Sequence, residues 1–301
     1  MNGIIVMDKP AGFTSFDVVA LMRGVCRERK IGHTGTLDPM ATGVLPLLLG
    51  TATRALPLLE DTGKEYEAGF RLGIATDTQD VTGKTVAESG VRAARAQVEA
   101  VLPRFRGEIL QMPPMYSAVS VNGRRLYELA RQGLEVERAK RPVTVLRLEL
   151  TDFDESSQCG RLLVSCSKGT YIRTLCADLG EALGTYGTMT ALRRTRAAGF
   201  TLNDAVTPDE AKSLAERGLL SEHVLSVESL FSGCPAVCVS PAQAVRFSNG
   251  GALGLERTSL RGAEPLQGAR YRVCSPESVF LGLGEIRGGD LAVLRLFTPR
   301  R

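Results

Sequence analysis

One carboxylate stands alone in a short stretch that is otherwise rich in glycine and threonine. Asp38 lies within Ile31–Leu45, which reads IGHTGTLDPMATGVL, and His33 precedes it by five residues. The Asp38-Pro39 pair favours a turn, because the residue before a proline is pushed out of the helical region, and the glycines let a ligand approach the backbone closely. Two interpretations fit: a structural aspartate in a turn, or a carboxylate held rigidly to act on a substrate. The residue types alone do not choose between them.

Two other polar side chains fall where a predicted element begins. Lys64–Leu72 alternates with a period of two, so Tyr66 lies on the core-facing side at the start of a strand. The residue types favour an ordinary core aromatic with a solvated hydroxyl. Tyr171–Leu183 is a predicted helix with Arg173 in its first turn. A cation there opposes the helix dipole, so this position calls for an anionic partner.

A basic segment with interleaved tyrosines lies between residues 115 and 140. Tyr116 and Tyr127 alternate with five cations, which are Arg124, Arg125, Arg131, Arg138 and Lys140. Cations with aromatics suit contacts to an RNA backbone combined with base stacking. A solvated amphipathic helical hairpin explains the same pattern equally well.

The elements that must position these residues alternate between strand and helix as far as residue 230. We predict strands at Ile4–Met7, Val143–Leu150, Arg161–Ser167 and Thr188–Ala197. Predicted helices span 15–29 with Ser15 as N-cap, 51–60, 91–104, and Thr207 to Arg217 behind a capping box. After residue 231, glycines and short apolar runs predict a small β-barrel or sandwich. The fold class is therefore mixed α/β, with a domain at 1–230 and a β domain at 231–301.

Composition bounds the function without deciding it. The 301 residues carry a formal net charge of +4, which permits a nucleic-acid partner but does not demand one. No apolar run is long enough to span a bilayer, and no targeting segment is recognisable. Seven scattered cysteines are typical of free thiols in a reducing cytoplasm. Cys234 and Cys238 lie near His223 but lack a second ligand pair, so we expect no metal.

Several long motifs resemble those of the TruB family of tRNA pseudouridine synthases. The Asp38 stretch has every fixed position of the family's active-site pattern GHTGxLDPxATGxL. Several motifs in register are far more specific than one short pattern. The resemblance continues in the family's order over roughly the first two thirds of the chain, through Val6–Asp17, Gly63–Gly73, Gln111–Gly133, Arg141–Val145, Cys166–Leu175 and Ala191–Thr195.

The resemblance implies an isomerase that converts uridine 55 in the T loop of tRNA into pseudouridine. No cofactor or metal is implied, and the target base must be flipped out of the RNA. Asp38 would be the catalytic carboxylate, Arg173 its ion-pair partner that lowers its pKa, and Tyr66 the aromatic that stacks on the uracil. The other implied pocket and interface residues are His33, Lys9, Lys64, Tyr171 and Leu192. Attack on C6, attack on C1′ and removal of a ribose proton remain open as the route.

The resemblance also assigns the RNA-binding parts. An insertion at about 112–142 would grip the RNA backbone through Arg124, Arg125 and Arg131, and the C-terminal domain would be of the PUA type. The expected partner is the T arm of tRNA, with the protein acting as a cytoplasmic monomer. Two alternatives remain: a non-catalytic tRNA-binding protein or folding chaperone, and a phosphate-binding or hydrolytic enzyme. The second lacks support because G-x-x-x-x-G-K-[ST] and G-x-S-x-G are absent.

Overall fold

The computed structural model describes residues 1–59, 63–121, 123–263 and 265–297. In these ranges the helices are α1 (Ser15–Cys26), α2 (Arg95–Val101), α3 (Leu126–Ala130), α4 (Ile172–Ala182), α5 (Pro208–Glu216) and α6 (Pro241–Ser248). The strands, in chain order, are β1 (Gly3–Lys9), β2 (Ile31–His33), β3 (Thr42–Leu49), β4 (Lys64–Leu72), β5 (Ile74–Thr76), β6 (Thr85–Glu88), β7 (Gly107–Gln111), β8 (Ser120–Val121), β9 (Arg124–Arg125), β10 (Arg141–Asp154), β11 (Cys159–Cys166), β12 (Gly187–Ala197), β13 (Phe200–Thr201), β14 (Ala205–Val206), β15 (Ala236–Cys238), β16 (Leu253–Gly254), β17 (Arg270–Cys274), β18 (Phe280–Arg287) and β19 (Asp290–Leu296).

A ten-stranded sheet forms the larger part of the molecule. Its order is β14-β1-β3-β12-β4-β11-β10-β7, with β2 added to β3 and β13 to β12. The β1–β14 and β3–β12 pairs are parallel, and the other pairs are antiparallel. This arrangement confirms the predicted mixed α/β fold with a largely antiparallel sheet. It also brings the Asp38 loop, between β2 and β3, next to β12 and one strand away from β4.

Helices cover the sheet in two groups, each with its own apolar core. Helices α2 and α4 share a core with β4, β11 and β12, whose side chains alternate between inside and outside. Helices α1 and α5 share a second core with β1 and β3. Because α4 packs directly against β12, the first turn of α4 is held at a fixed height above the sheet.

A five-stranded sheet follows, in the order β15-β17-β18-β19-β16. This confirms the small C-terminal β structure, but the sequence analysis missed α6. The sequence does contain a signal for the start of this helix: Ser240 and Gln243 form a capping box, and Pro241 is the first helical residue. Phe231, Leu283 and Phe297 share a buried cluster with Leu48 on β3 and with Ala52 and Ala55, which follow β3, so the two sheets are joined by one apolar core. The division into 1–230 and 231–301 stays a prediction.

Several predicted helix limits are wrong, each for a local reason. Thr14, not Ser15, is the N-cap of α1: its hydroxyl accepts from the Asp17 N–H at 3.0 Å. The same helix ends at Cys26, because Arg27 adopts a left-handed conformation with φ 49°. The helix predicted at 91–104 is α2 followed by a 3₁₀ turn, Leu102–Phe105.

The helix predicted at 51–60 is a 3₁₀ helix, Gly50–Leu58, and position 60 lies outside the described residues. The strands predicted at Ile4–Met7, Val143–Leu150 and Thr188–Ala197 fall within β1, β10 and β12. The strand predicted at Arg161–Ser167 overlaps β11. The predicted capping box at Thr207 is confirmed. Across the described ranges, each helix is too short or too polar to cross a bilayer.

Candidate active site

The loop that carries Asp38 is fixed to its surroundings by backbone contacts. Ser15, almost fully buried at the start of α1, accepts a hydrogen bond from the Leu37 N–H at 2.8 Å. The Gly12 N–H donates to the Pro39 carbonyl at 2.9 Å on the other side of the turn. Ser15, predicted to be the helix cap, is thus used to hold the residue beside Asp38. These bonds fix the residues on both sides of Asp38, Leu37 and Pro39.

Arg173 binds both oxygens of the Asp38 carboxylate through two of its guanidinium nitrogens. Its Nε lies 3.0 Å from Asp38 Oδ2 and its Nη2 lies 3.4 Å from Oδ1. The same guanidinium donates to the carbonyls of Thr78 at 3.0 Å and Tyr116 at 2.8 Å. A forked pair of this kind fixes the carboxylate orientation as well as its charge. Asp38 is thus the anionic partner that the sequence predicted for Arg173 in the first turn of α4.

A second carboxylate, Asp80, stands on the far side of Arg173. Its Oδ2 lies 3.7 Å from Arg173 Nη1, and the residue is almost fully buried. Its Oδ1 accepts from the Thr78 hydroxyl and the Thr82 N–H, both at 2.9 Å. The sequence analysis did not single out Asp80. No periodicity links it to Arg173, because the two residues meet only through the fold.

Burial decides the pKa of Asp38. Its side chain is 34% exposed, yet the surrounding protein raises the carboxyl pKa above its ordinary value. Arg173 and Lys9 lower that pKa, but desolvation outweighs them and the negative charge of Asp80 adds to the upward shift. The predicted lowering of this pKa by Arg173 is present, but it does not take the pKa below its ordinary value. The arginine instead limits a rise that burial imposes.

Tyr66 lies on β4 with only 6% of the residue exposed. It pairs in register with Arg194 on β12, and it belongs to the same apolar cluster as Leu37 and Leu192. Burial raises the pKa of the phenol to about 12, although Arg194 opposes the shift. The hydroxyl is therefore neutral near pH 7, and its oxygen accepts a hydrogen bond from the Arg194 side chain. The Asp38 charge is also felt at this phenol, so the two groups share one site.

Lys9 and Lys64, which the resemblance implies as supporting residues, both lie close to the backbone of the Asp38 loop. Lys9 is fully buried, and its Nζ donates to the carbonyls of Pro10 at 2.9 Å, Phe13 at 2.5 Å and Pro39 at 3.2 Å. Burial lowers the pKa of this amine to about 8. Lys64 approaches from β4, with its Nζ 3.3 Å from the position that a Cβ on Gly35 would occupy. A side chain at position 35 would therefore displace this lysine.

His33 and Tyr171 border the same region. His33 ends β2, and burial, aided by the positive charge of Arg194, lowers its pKa, so the ring is neutral. Its Nδ1 finds no hydrogen-bond partner among the described residues. Tyr171 immediately precedes α4, and its N–H and carbonyl both bond to the side chain of buried Gln111, at 2.9 and 3.2 Å. Gln111, missed in the sequence analysis, thereby fixes where α4 begins.

The structure does not bring the predicted RNA-backbone arginines to Asp38. Arg124, Arg125 and Arg131 are exposed on the segment that joins β7 to β10. Arg124 donates to the side chain of Gln132 at 2.8 Å, and Arg131 lies over the Tyr127 ring at 5.5 Å. They form an outer surface, while the Tyr116 carbonyl of the same segment reaches Arg173. In the ranges described, no cluster of three or more His, Cys, Asp or Glu could hold a metal ion.

On this mixed sheet a carboxylate is held by an arginine near a buried tyrosine, and comparison with family models gives the class as pseudouridylate synthases. The model of the "TruB family pseudouridylate synthase (N terminal domain)" matches residues 23–172. The "tRNA pseudouridylate synthase B C-terminal domain" matches 173–232, and "Pseudouridine synthase II TruB, C-terminal" matches 235–297. The chain belongs to the TruB family.

Relatives and solved structures agree with this assignment. The chain is 45% identical to tRNA pseudouridine synthase B of Azoarcus sp. (strain BH72), over 100% of this chain and 96% of that protein. It is 42% identical to the protein of the same name in Pseudomonas fluorescens (strain Pf0-1), over 98% and 95%. A structure of an H/ACA ribonucleoprotein bound to a substrate RNA containing 2′-deoxyuridine has a chain similar in fold, with TM-score 0.74 and 25% identity over 99% of this chain and 86% of that one.

Proposed function

We propose that this chain converts uridine 55 in the T loop of tRNA into pseudouridine, in the cytoplasm and without a cofactor. The observation that carries the proposal is the forked Asp38–Arg173 pair, open on one side, beside buried Tyr66. The relatives named tRNA pseudouridine synthase B support the choice of tRNA as substrate. One chain supplies all of these groups, so the proposal is for a monomer that acts on the T arm.

The reaction exchanges one bond to the ribose for another. The bond between C1′ and N1 of uracil breaks and a bond between C1′ and C5 forms, while the C5 hydrogen leaves and N1 gains a proton. The base must first leave the RNA stack to reach a pocket. Attack on C6, attack on C1′ and removal of a ribose proton all start from the ionised carboxylate of Asp38. Arg173 favours the charged form of that carboxylate and fixes its orientation.

The other site residues divide into base contacts and supports. Tyr66 stacks on the uracil, and Leu192, from the same apolar cluster, walls the pocket. Tyr171 lines the pocket at the start of α4, and His33 fills the gap that the flipped base leaves in the RNA. Lys9 and Lys64 act as supports, since both approach the backbone of the Asp38 loop. Arg124, Arg125 and Arg131 bind RNA phosphates.

Tritium release from a T-arm stem-loop tests this function. The substrate carries C5-tritiated uridine at the target position, and a second stem-loop carries the label only at other uridines. We expect stoichiometric release from the first and none from the second. Release from the second substrate alone would contradict the assignment to the T-loop uridine while leaving the chemistry in place.

The raised pKa of Asp38 predicts an acid limb in the rate of single turnover. Ionised Asp38 is the active form, so a raised pKa means that activity falls at a higher pH than for an ordinary aspartate. Replacing Asp80 with asparagine removes a negative charge that raises this pKa. The limb should then move to lower pH. The measurement is the single-turnover rate against pH for both proteins on the same stem-loop.

Two results would count against this assignment. A limb that stays in place in the Asp80→Asn variant would mean that another group controls the acid side. An acid limb that moves to higher pH would mean that the substitution raises the pKa of Asp38 instead of lowering it. Binding of the stem-loop at each pH serves as the control, since a rate that follows binding reports on RNA contacts.

Replacing Arg124 and Arg125 together with alanine should weaken T-arm binding and make it less sensitive to salt. Each phosphate contact releases counterions, so losing two contacts should flatten the slope of log affinity against log salt by about one to two units. The single-turnover rate at saturating RNA should stay unchanged, because neither side chain touches Asp38. Filter binding over a series of salt concentrations measures the slope.

The matched control is the double replacement of Arg104 and Arg217, which are exposed elsewhere on the molecule. This variant has the same net charge as the first. If both double variants flatten the slope equally, the effect comes from net charge and the segment between β7 and β10 makes no specific contact. If neither changes the slope, the segment lies outside the RNA interface.

A further inference from the structure

Arg194 is a fully buried arginine that donates to three backbone carbonyls and also forms a hydrogen bond with the Tyr66 side chain. None of its surface is exposed. Its Nε donates to the Val44 carbonyl at 2.7 Å, its Nη2 to Gly35 at 3.1 Å, and its Nη1 to Thr36 at 3.4 Å. Burying a guanidinium is costly unless its donors are satisfied. All three backbone acceptors belong to the stretch around Asp38, which indicates that the guanidinium holds this stretch.

The three carbonyls lie on the two sides of Asp38. Gly35 and Thr36 lead into the turn that carries the carboxylate, and Val44 is on the strand that leaves it. One planar guanidinium therefore closes the base of the loop, which spans residues 35–44. The planar fork of arginine can reach three acceptors in a plane, whereas the ammonium of lysine is a single point.

The exit of the loop lies directly against Arg194. Gly43 pairs with Arg194 in the parallel β3–β12 ladder and has φ 103°, a conformation that favours glycine. A Cβ on Gly43 would lie 2.1 Å from the Arg194 carbonyl oxygen. The backbone of Arg194 thus holds one end of the loop, and its side chain joins the two ends. β12 acts as the base to which the catalytic loop is fastened.

We propose that Arg194 is a positioning residue, which holds the backbone of the Asp38 loop so that the carboxylate meets the substrate in the reactive geometry. Arg173 binds the carboxylate itself, whereas Arg194 fixes the two chain segments on either side of it. This inference rests on the proposed function only for its catalytic consequence. A displacement of about 1 Å at a catalytic group costs about 10²-fold in rate.

The test compares Arg194→Met and Arg194→Lys with Arg196→Met. Arg196 lies two residues further along β12, but its side chain is 44% exposed and pairs with Glu65 on β4 at 3.1 Å. We expect both Arg194 variants to lower the single-turnover rate by about 10²-fold at saturating T arm, with the dissociation constant changed by no more than a few fold. The control should keep the wild-type rate. Arg194→Lys retains the charge, so it decides the question if the methionine variant does not fold.

Hydrogen exchange measured by mass spectrometry gives a readout that does not depend on activity. The Leu37 amide donates to Ser15 Oγ on α1, and the Ala41 amide donates to the Asp38 carbonyl within the loop. The proposal predicts faster exchange confined to peptides that cover 35–44. Faster exchange throughout β4, β11 and β12 would overturn it, because Arg194 would then support the sheet as a whole.

The kinetic outcomes are equally decisive. An unchanged rate in both Arg194 variants overturns the positioning role, and so does a rate loss that equals the loss of binding. If the wild-type protein itself releases no tritium, the proposed function fails. The exchange experiment still tests whether Arg194 holds the loop in that case, so the two failures are distinguishable.

Discussion

Replacing Asp38 with asparagine is expected to lower the single-turnover rate by at least about 10³-fold. The amide keeps the shape of the side chain but has neither the charge nor the basicity that each route of the reaction requires. Binding of the T arm should stay within a few fold of wild type. The wild-type carboxylate adds a negative charge that repels RNA phosphates, so its loss does not weaken the complex. Tritium release and filter binding on one stem-loop measure the two quantities.

Asp8→Asn is the matched control for this variant. Asp8 also forms a two-nitrogen ion pair, with Arg193 at 2.7 and 3.3 Å, but outside the Asp38 site. The control removes the same charge from the same kind of pair. It should leave the single-turnover rate close to wild type. An equal loss in both variants would mean that the Asp38 effect arises from general destabilisation.

Replacing Arg173 with lysine is the prediction with the second largest effect. Lysine keeps the positive charge, but one ammonium cannot bind both oxygens of Asp38 and also reach the Thr78 and Tyr116 carbonyls. Losing one charge-assisted hydrogen bond costs about 1.5–3 kcal/mol, which corresponds to roughly 10- to 150-fold in rate. The loss should appear in the single-turnover rate at saturating RNA, since Arg173 is buried away from the RNA surface.

The control for Arg173→Lys is Arg193→Lys, which makes the same exchange in the exposed Asp8 pair. Its rate and binding should match wild type. The account is contradicted if Arg173→Lys retains the wild-type rate, because positive charge alone would then serve Asp38. It is also contradicted if binding falls as much as the rate, because Arg173 would then act on the RNA rather than on the carboxylate.

Local sequence patterns predicted the elements whose structure is determined by residues close together in the chain. Lys64–Leu72 alternates strictly, and β4 has those limits in the structure. The first turn of α4 carries a cation where the helix dipole disfavours one, and the structure supplies Asp38 as its anion. In both cases the physical cause acts within a few residues. Such causes can be read without knowing the fold.

Other features depend on contacts between distant segments. Thr14 and Ser15 are both good N-caps, and the choice between them is made by Leu37, which uses the Ser15 hydroxyl. Asp80 meets Arg173 only because the fold brings the turn between β5 and β6 next to the first turn of α4. The net shift in the pKa of Asp38 depends on how deeply the loop is buried, so a partner charge could not predict its sign.

Arg194 shows what a sequence pattern can signal without explaining. Arg194 lies two residues after Leu192 on β12. Because side chains alternate between the faces of a strand, both lie on the inner face. An arginine on that face must satisfy its donors inside the protein. The pattern therefore indicates a buried arginine with internal partners. The partners themselves, the carbonyls of the Asp38 loop, follow from the parallel pairing of β12 with β3, which no local pattern encodes.

The most direct test is tritium release by the wild-type protein and Asp38→Asn from the same T-arm stem-loop labelled at the target uridine. The account predicts one tritium released per wild-type turnover, and a rate at least about 10³-fold lower for the variant, with both proteins binding the RNA equally well. Release by Asp38→Asn at close to the wild-type rate would contradict the catalytic role of the carboxylate. Tight binding by the wild type without release from any uridine would instead identify a tRNA-binding or tRNA-folding protein that has no synthase activity.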